Sequence, residues 1–195
     1  RVFYNNDDIV TLRIPASVTS LGVYAFAGCS SLVMVEFAEN SALTEIGAYA
    51  FQSDYSLRDI VLPEGLTAIG DSAFANCYAL KVINIPSTVT ALQSSSFSGC
   101  TLAEVQNLAA DTVAGIPSAV NVYTAAAGQS ALYEQDGFTF LYVPAEGESA
   151  AQAYLIGYSG SASVLYLPDR FTAGQETVSS YGIFAGAFSG RTFSA

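Results

Sequence analysis

The feature that most constrains this chain is a pattern of residues that recurs four times within its first hundred positions. Each copy places an apolar strand-like stretch before a Thr, a turn and a phenylalanine, and the turn contains a Gly in three of the four copies. The phenylalanines are Phe26, Phe51, Phe74 and Phe97, which are separated by 25, 23 and 23 residues. A fixed period in the twenties is typical of a solenoid, in which each coil buries its apolar face against its neighbours.

The clearest copy of the pattern covers residues 57–80. The apolar residues 60 and 62 alternate with residues 59 and 61, which predicts a half-buried strand. The proline that follows ends that strand. Residues 66–69 predict a second short strand. The glycine after it permits a sharp turn, and a single helical or 3₁₀ turn that carries Phe74 and Cys77 is expected to close the coil.

Because each coil advances the solenoid by about one strand spacing, ~4.8 Å, equivalent residues are expected to stack in columns. The phenylalanines form a predicted core column. A predicted hydroxyl column on the second sheet consists of Thr19, Thr44, Thr67 and Thr90. A third column consists of Cys29, Cys77 and Cys100, with Asp54 at the equivalent position of the degenerate second copy.

The pattern Leu-x-x-Ile-x-Ile-Pro-x-x-Val-Thr-x-Ile-Gly-x-x-Ala-Phe-x-x-Cys-x-x-Leu resembles the BspA-like bacterial leucine-rich repeat. The expected fold is therefore a β-rich α/β leucine-rich-repeat solenoid, with parallel strands on one face and short strands and helical turns on the other. The resemblance implies a bacterial cell-surface or secreted protein of the kind often linked to adhesion and host-protein binding. It brings no catalytic residues with it.

The pattern decays after residue 102, and three regions are predicted. Residues 1–108 form a leucine-rich repeat array of four to five coils, and residues 109–136 form an irregular coil with a short Ala-rich capping helix at 125–135. Residues 137–195 form a β-hairpin followed by a restarting, truncated repeat.

Within the last region, residues 138–143 and 153–158 alternate like paired strands, which predicts the hairpin insertion. Residues 164–168 repeat the strand-plus-proline unit, and Ala187 and Phe188 repeat the Ala-Phe pair, with a loop expected around 172–177. The absence of an initial Met and the unfinished last coil suggest a piece of a longer protein.

The composition argues against several classes of function. The chain has 17 acidic and 6 basic residues, a net charge of −11, and no basic stripe, so binding to nucleic acid or to an anionic membrane is not expected. It contains no histidine, which excludes a hydrolase with a histidine base and makes a zinc site unlikely. No apolar run approaches the roughly 18 residues of a membrane span, so insertion into a membrane is not expected.

Candidate chemical groups have simpler structural interpretations. The three cysteines share one repeat position, which favours buried, reduced thiols over a metal or redox site, although Cys77 and Cys100 are expected to lie close enough for a disulfide. The carboxylate pairs Asp7–Asp8 and Glu146–Glu148 lie in polar, turn-like stretches and are interpreted as solvated. No metal or cofactor is predicted.

The surface expected to bind a partner is the outward side of the first sheet. Its residues are Thr11, Arg13, Met34, Glu36, Asp59, Val61, Val82, Asn84, Glu104 and Gln106. They form no aromatic cluster, so a face that is merely solvated is the competing interpretation. A rival site is the group of tyrosines at Tyr142, Tyr154, Tyr158 and Tyr166, where rings could stack on sugars or form a small second core.

The sequence therefore predicts a non-enzymatic, extracellular binding or adhesion module whose partner is a protein or glycan. The module is expected to be monomeric or weakly associating. Two alternatives remain open: a structural spacer within a larger surface protein, and an ancillary domain of a glycan-processing enzyme.

Overall fold

A computed structural model describes residues 2–109, 113–119, 121–124, 131–143, 151–158 and 166–183. The chain divides into two compact units, Arg1–Tyr123 and Thr124–Ala195. The first unit is called the repeat array below, and the other is called the second unit.

From β1 to β9 the strands of the array alternate along the chain between two sheet walls of a solenoid. In chain order they are β1 (Thr11–Ile14), β2 (Ser20–Leu21), β3 (Met34–Phe37), β4 (Glu45–Ile46), β5 (Asp59–Ile60), β6 (Ala68–Ile69), β7 (Val82–Ile85), β8 (Ala91–Leu92), β9 (Glu104–Asn107) and β10 (Asn121–Thr124). The even-numbered strands up to β8 form one parallel sheet in the order β2-β4-β6-β8. The first wall is divided into two sheets, β1-β3-β5 and β10-β9-β7, and the leucine-rich solenoid predicted from the repeat is confirmed.

The third side of each coil consists of successive turns, and no helix is present among the residues that the structure describes. The expected helical turn at Phe74 is replaced by turns over residues 71–76. Ser72 and Asn76 have φ angles of 53° and 62°, and Tyr49 and Ser53 repeat these values one coil earlier at 60° and 62°. Left-handed residues at both positions prevent a right-handed helix from propagating, so the predicted helical turn is wrong.

The predicted phenylalanine column is confirmed. Ring centroids are 5.6 Å apart for Phe26–Phe51, 5.3 Å for Phe51–Phe74 and 5.1 Å for Phe74–Phe97, with the rings within 11° of parallel. Phe3 extends the column at the N-terminal end, 5.3 Å from Phe26. The coils are therefore related by almost pure translation, and the repeat begins earlier than the sequence pattern indicated.

The threonine column on the second wall is also confirmed, and its hydroxyl groups bond to the backbone. Thr44, Thr67 and Thr90 each donate from Oγ1 to the carbonyl oxygen of the threonine one coil earlier, at 3.1, 2.9 and 3.5 Å. Each hydroxyl therefore links two adjacent coils at the exposed side of this wall.

The cysteine column contains free thiols, as predicted, with Cys29 and Cys77 fully buried and Cys100 half-buried. Each sulfur donates at 3.1 Å to the carbonyl oxygen of a phenylalanine in the preceding coil, in the pairs Cys29–Phe3, Cys77–Phe51 and Cys100–Phe74. Burial raises the pKa of Cys29. A protonated thiol is the form that can donate this bond, so the column has a structural explanation.

Asp54 occupies the cysteine position in the degenerate coil and is completely buried. Its Oδ1 accepts a hydrogen bond from the Cys29 backbone N–H at 2.9 Å, whereas Oδ2 has no partner within the described residues. Desolvation raises the pKa of this carboxyl from 3.8 to about 8, although backbone hydrogen bonds from Cys29 and Gly28 oppose the shift. At neutral pH Asp54 is therefore mostly protonated and replaces a thiol with another neutral group.

The second unit is built from short antiparallel pairs. Its strands are β11 (Ala131–Gln135), β12 (Phe138–Val143), β13 (Gln152–Tyr158), β14 (Phe171–Ala173), β15 (Glu176–Val178) and β16 (Gly182–Ile183). One sheet has the order β11-β12-β13-β16, in which the β13–β16 pair is parallel, and β14 pairs with β15. The predicted hairpin of residues 138–143 and 153–158 is confirmed as β12 and β13.

The capping helix predicted for residues 125–135 is wrong over Ala131–Gln135, which is strand β11; residues 125–130 lie outside the described part. The cause is the two-residue turn that follows. Asp136 and Gly137 have φ angles of 53° and 81°, the pair of left-handed residues that joins twisted antiparallel strands. Gln135 therefore pairs with Phe138, and β11 becomes the edge of the sheet.

The restarting repeat is only partly covered by the structure. Residues 164 and 165, Ala187 and Phe188 lie outside the described residues, and Tyr166–Pro168 are described but form no strand. The loop expected around residues 172–177 is a tight hairpin between β14 and β15, and it turns at Gly174 with a φ of 63°. This hairpin contributes Phe171 and Ala173 to a small core with β12 and β13.

Candidate binding surfaces

The first half of the predicted binding face is formed by β1, β3 and β5. The strand register places Thr11 beside Met34 and Met34 beside Asp59, and it places Arg13 beside Glu36. Thr11 and Arg13 are exposed, whereas Met34, Glu36 and Asp59 are half-buried. Arg13 Nε and Glu36 Oε2 form an ion pair at 2.6 Å. We call these five residues the open face.

The second half of the predicted face differs from the prediction. Val61, Val82 and Glu104 are half-buried, but Asn84 and Gln106 are buried, with only 8% and 3% of their surface exposed. The expectation that these two side chains point to solvent is therefore wrong.

The reason lies at the division of the first wall between β5 and β7. The Asn84 side chain accepts a hydrogen bond from the Leu62 N–H and donates one to the Leu62 carbonyl oxygen, both at 2.7 Å. The amide thus satisfies both backbone polar groups of Leu62 at the point where β5 and β7 are not paired in one sheet. Gln106 is its register neighbour, and its buried Nε2 has no partner within the described ranges.

Exposed and half-buried tyrosines occur on the side of the coils formed by turns, which we call the turn edge. Tyr24 and Tyr49 stack at 4.6 Å and 7°, and Tyr4 contacts Tyr24 edge-on at 6.1 Å. Tyr55 and Tyr78 stack at 5.5 Å and 7°, and each is about half exposed. The sequence analysis missed these columns, although each pair occupies one repeat position and the spacing could have revealed it.

A cleft of about 460 Å³ opens on the turn edge beside these rings. Its floor is the coil that contains Ala27, Gly28 and Ser30, and its walls include Asp7 and Tyr55 from the coils on either side. We call it the turn-edge cleft. Asp7 Oδ1 accepts hydrogen bonds from the Ser30 hydroxyl at 2.6 Å and from its N–H at 3.0 Å, and these bonds lower the pKa of Asp7.

The rival tyrosine group of the second unit is not a single exposed patch. Tyr142 is buried and bonded through its hydroxyl to Glu176, and Tyr158 packs partly buried against the same small core. Tyr154 is half-buried, and Tyr166 is exposed. The prediction of a small second core therefore describes Tyr142 and Tyr158 better than that of a sugar-stacking sheet.

Within the described ranges, no three His, Cys, Asp or Glu side chains converge closely enough to hold a metal ion. No helix there has the length and apolar character that crossing a membrane requires.

Parallel strands on two walls, a column of core phenylalanines and a nearly constant coil length define a leucine-rich-repeat solenoid. The profile of the BspA type leucine rich repeat region matches residues 1–120 in six copies. The chain belongs to this family. No curated protein sequence matches the chain.

Solved structures of bacterial leucine-rich repeat proteins are similar to part of this chain. A leucine-rich repeat protein of T. pallidum is 32% identical with a TM-score of 0.55, and the match covers 64% of this chain and 61% of that one. A leucine-rich repeat protein of Bacteroides ovatus is 26% identical with a TM-score of 0.45, and the match covers 58% of this chain and 33% of that one. The match therefore spans less than two thirds of either relative.

Proposed function

We propose that this chain is a non-enzymatic binding module of a bacterial surface or secreted protein, and that the open face contacts an extracellular protein or glycan. The observation that supports the proposal best is the open face itself. Hydrogen-bonded strands fix the backbone positions from which its side chains project, so little backbone freedom is left to lose when a partner docks.

Charge balance also favours a binding role for this face. Arg13 is paired with Glu36, and Arg58 lies 3.3 Å from Asp59, so the surface is nearly neutral on a chain whose net charge is −11. A flat patch of mixed polarity without strong local charge is typical of surfaces that bind other proteins transiently. An acidic partner would meet less repulsion at this charge-balanced patch than the net charge of −11 alone implies.

The proposal is tested by immobilising the chain and measuring binding to a panel of host matrix proteins and glycans. The informative variant is the double exchange Arg13→Glu with Glu36→Arg, which preserves the ion pair but reverses the charge pattern presented to a partner. We expect it to weaken binding about tenfold while leaving the thermal midpoint unchanged.

The matched control is Glu45→Ala on the second wall, which removes an exposed charge at a different surface. Equal binding by the wild-type chain, the exchange variant and the control would contradict the proposal. That result would favour a spacer whose outward residues can be replaced without functional loss.

A further inference from the structure

The turn-edge cleft exists because one coil carries small side chains between two coils that carry larger ones. Tyr4, Asn5 and Asp7 stand on one side, and the equivalent positions of the next coil are Ala27, Gly28 and Ser30. On the other side the same three positions carry Gln52, Ser53 and Tyr55. The recess thus follows from the difference in side-chain size between adjacent coils.

The lack of a side chain at Gly28 contributes to this shape. Its φ is 76°, and a Cβ at this position would lie 2.0 Å from Oδ1 of Asn5. The Asn5 amide therefore lies across the space that a side chain would fill. Because strands and turns on both sides fix the backbone, the recess is preformed, and its volume of about 460 Å³ lies within the ~300–1,000 Å³ typical of small-molecule sites.

The lining groups match a ligand rich in hydroxyl groups. Amides at Asn5 and Gln52 and hydroxyls at Ser30 and Ser53 each both donate and accept hydrogen bonds, as alcohol groups do. Asp7 is held on the wall by two bonds from Ser30 to one oxygen. A carboxylate offers about four acceptor positions, so it retains capacity to accept from neighbouring hydroxyls of a ligand.

Aromatic rings complete the site. Tyr4 and Tyr55 line the cleft, and each has almost half of its surface exposed. Tyr55 is held in place by stacking on Tyr78. An exposed ring held rigid presents an apolar surface to a C–H face of a sugar, while the surrounding polar groups bind the hydroxyls.

We propose that the turn-edge cleft is a second binding site, distinct from the open face, and that it binds a neutral saccharide of one or two rings. The carboxylate of Asp7 and the net charge of −11 disfavour an anionic ligand. The polar lining disfavours a purely apolar ligand, because burying those groups without partners would be costly.

The test is a binding measurement on the full chain, by saturation-transfer NMR and calorimetry. The probes are methyl glucoside, methyl galactoside, N-acetylglucosamine, cellobiose and lactose, with glucuronate as an anionic counterpart and glycerol as a small polyol. We expect at least one neutral sugar to bind at millimolar concentration, and we expect glucuronate and glycerol to bind more weakly than that sugar.

Two variants locate the site. Tyr55→Ala removes the lining ring and is expected to weaken sugar binding about tenfold, whereas Tyr166→Ala removes an exposed tyrosine of the second unit that does not line the cleft and is expected to change it less than twofold. Ser30→Tyr places in the cleft the residue that the repeat carries at the Tyr55 and Tyr78 positions, and it is expected to abolish binding with little change in the thermal midpoint.

Failure of every neutral sugar to bind the wild-type chain overturns the proposal. So does equal loss in the two alanine variants, or binding that survives Ser30→Tyr. The open-face exchange variant should bind sugar normally. Sugar binding and partner binding can thus fail independently, and the outcomes distinguish the cleft from the proposed function of the open face.

Discussion

In the repeat array, successive phenylalanine rings lie 5.1–5.6 Å apart and within 11° of parallel. In the second unit, Phe140 stacks on Phe171 at 4.1 Å and 8°, but it meets Tyr181 edge-on at 5.1 Å and 81°. Stacked and edge-on rings are both favourable, so ring chemistry alone does not select between them. The backbone does: a translational repeat forces its rings to be parallel, whereas separate hairpins bring rings together at whatever angle closes the core.

The same contrast applies to stability. Each inner ring of the array has a ring above and below it, and solenoid stability is approximately a sum of such nearest-neighbour terms. The second unit instead relies on one small cluster of Phe138, Phe140, Phe171 and their neighbours. A destabilising substitution in the array should lower the stability of neighbouring coils along the phenylalanine column. A destabilising substitution in the second unit should affect its whole cluster at once.

The largest expected effect comes from removing a ring at the centre of the phenylalanine column. Phe51 is fully buried with a ring on each side, so Phe51→Ala should destabilise the array by about 5 kcal/mol, the upper part of the ~3–5 kcal/mol range for such changes. Hydrogen exchange should show lost protection in the coils on both sides of the gap. Phe171→Ala should remove protection from β12 to β15 instead. Protection lost only within the coil of Phe51 would contradict the nearest-neighbour description.

The next effect concerns the buried carboxyl that interrupts the cysteine column. The folded-state pKa of Asp54 is raised to about 8, from 3.8, so its contribution to stability is complete below about pH 4 and is lost as the pH rises toward 8. At neutral pH the loss is about 4 kcal/mol, taking about 1.4 kcal/mol for each pKa unit. Urea unfolding between these pH values should show this decline.

Asp54→Cys restores the residue of the neighbouring coils and should remove most of this dependence on pH. Asp54→Asn is the matched control, because it keeps the shape and the acceptor for the Cys29 N–H but cannot ionise. A wild-type stability that does not change between pH 4 and pH 8 would show that the carboxyl is not held neutral in the folded chain.

The contrast between the two regions also explains how much the sequence could predict. The solenoid, the phenylalanine file and the threonine column followed from one period, because translation places equivalent residues in contact. The second unit has no repeat period, and local composition gave a wrong prediction there. The Ala-rich stretch before Gln135 favours a helix by propensity, but the turn at Asp136 and Gly137 requires paired strands.

The candidate sites were harder to predict because they arise where the repeat is imperfect. The turn-edge cleft depends on small residues in one coil relative to larger ones in two others, a comparison between coils that a consensus pattern averages away. Alternation alone placed Asn84 outward. Its burial follows from its hydrogen bonds to Leu62 in the preceding coil, which become visible only when adjacent coils are considered together.

A smaller effect should come from the point where the first wall divides. Asn84→Leu leaves the Leu62 N–H and carbonyl without their partners in a buried setting and should cost about 3 kcal/mol. Gln106→Leu, at the register neighbour, removes a buried amide whose nitrogen has no partner in the described part, and it should be neutral or stabilise by up to about 1 kcal/mol. Urea unfolding measures both, and equal costs would contradict the bridging role of Asn84.

The smallest expected effect tests whether the repeated threonine hydrogen bonds stabilise the array at an exposed position. Thr67→Val keeps the shape of the side chain but removes the 2.9 Å bond to the Thr44 carbonyl, and it should cost about 0.5–1 kcal/mol. Thr19 starts the column and donates no such bond among the described residues, so Thr19→Val should cost less. Thermal unfolding of the two variants gives the difference directly. If that difference is zero, the threonine hydroxyl bonds do not stabilise the contact between coils, and the stability of the array rests on its phenylalanine column alone.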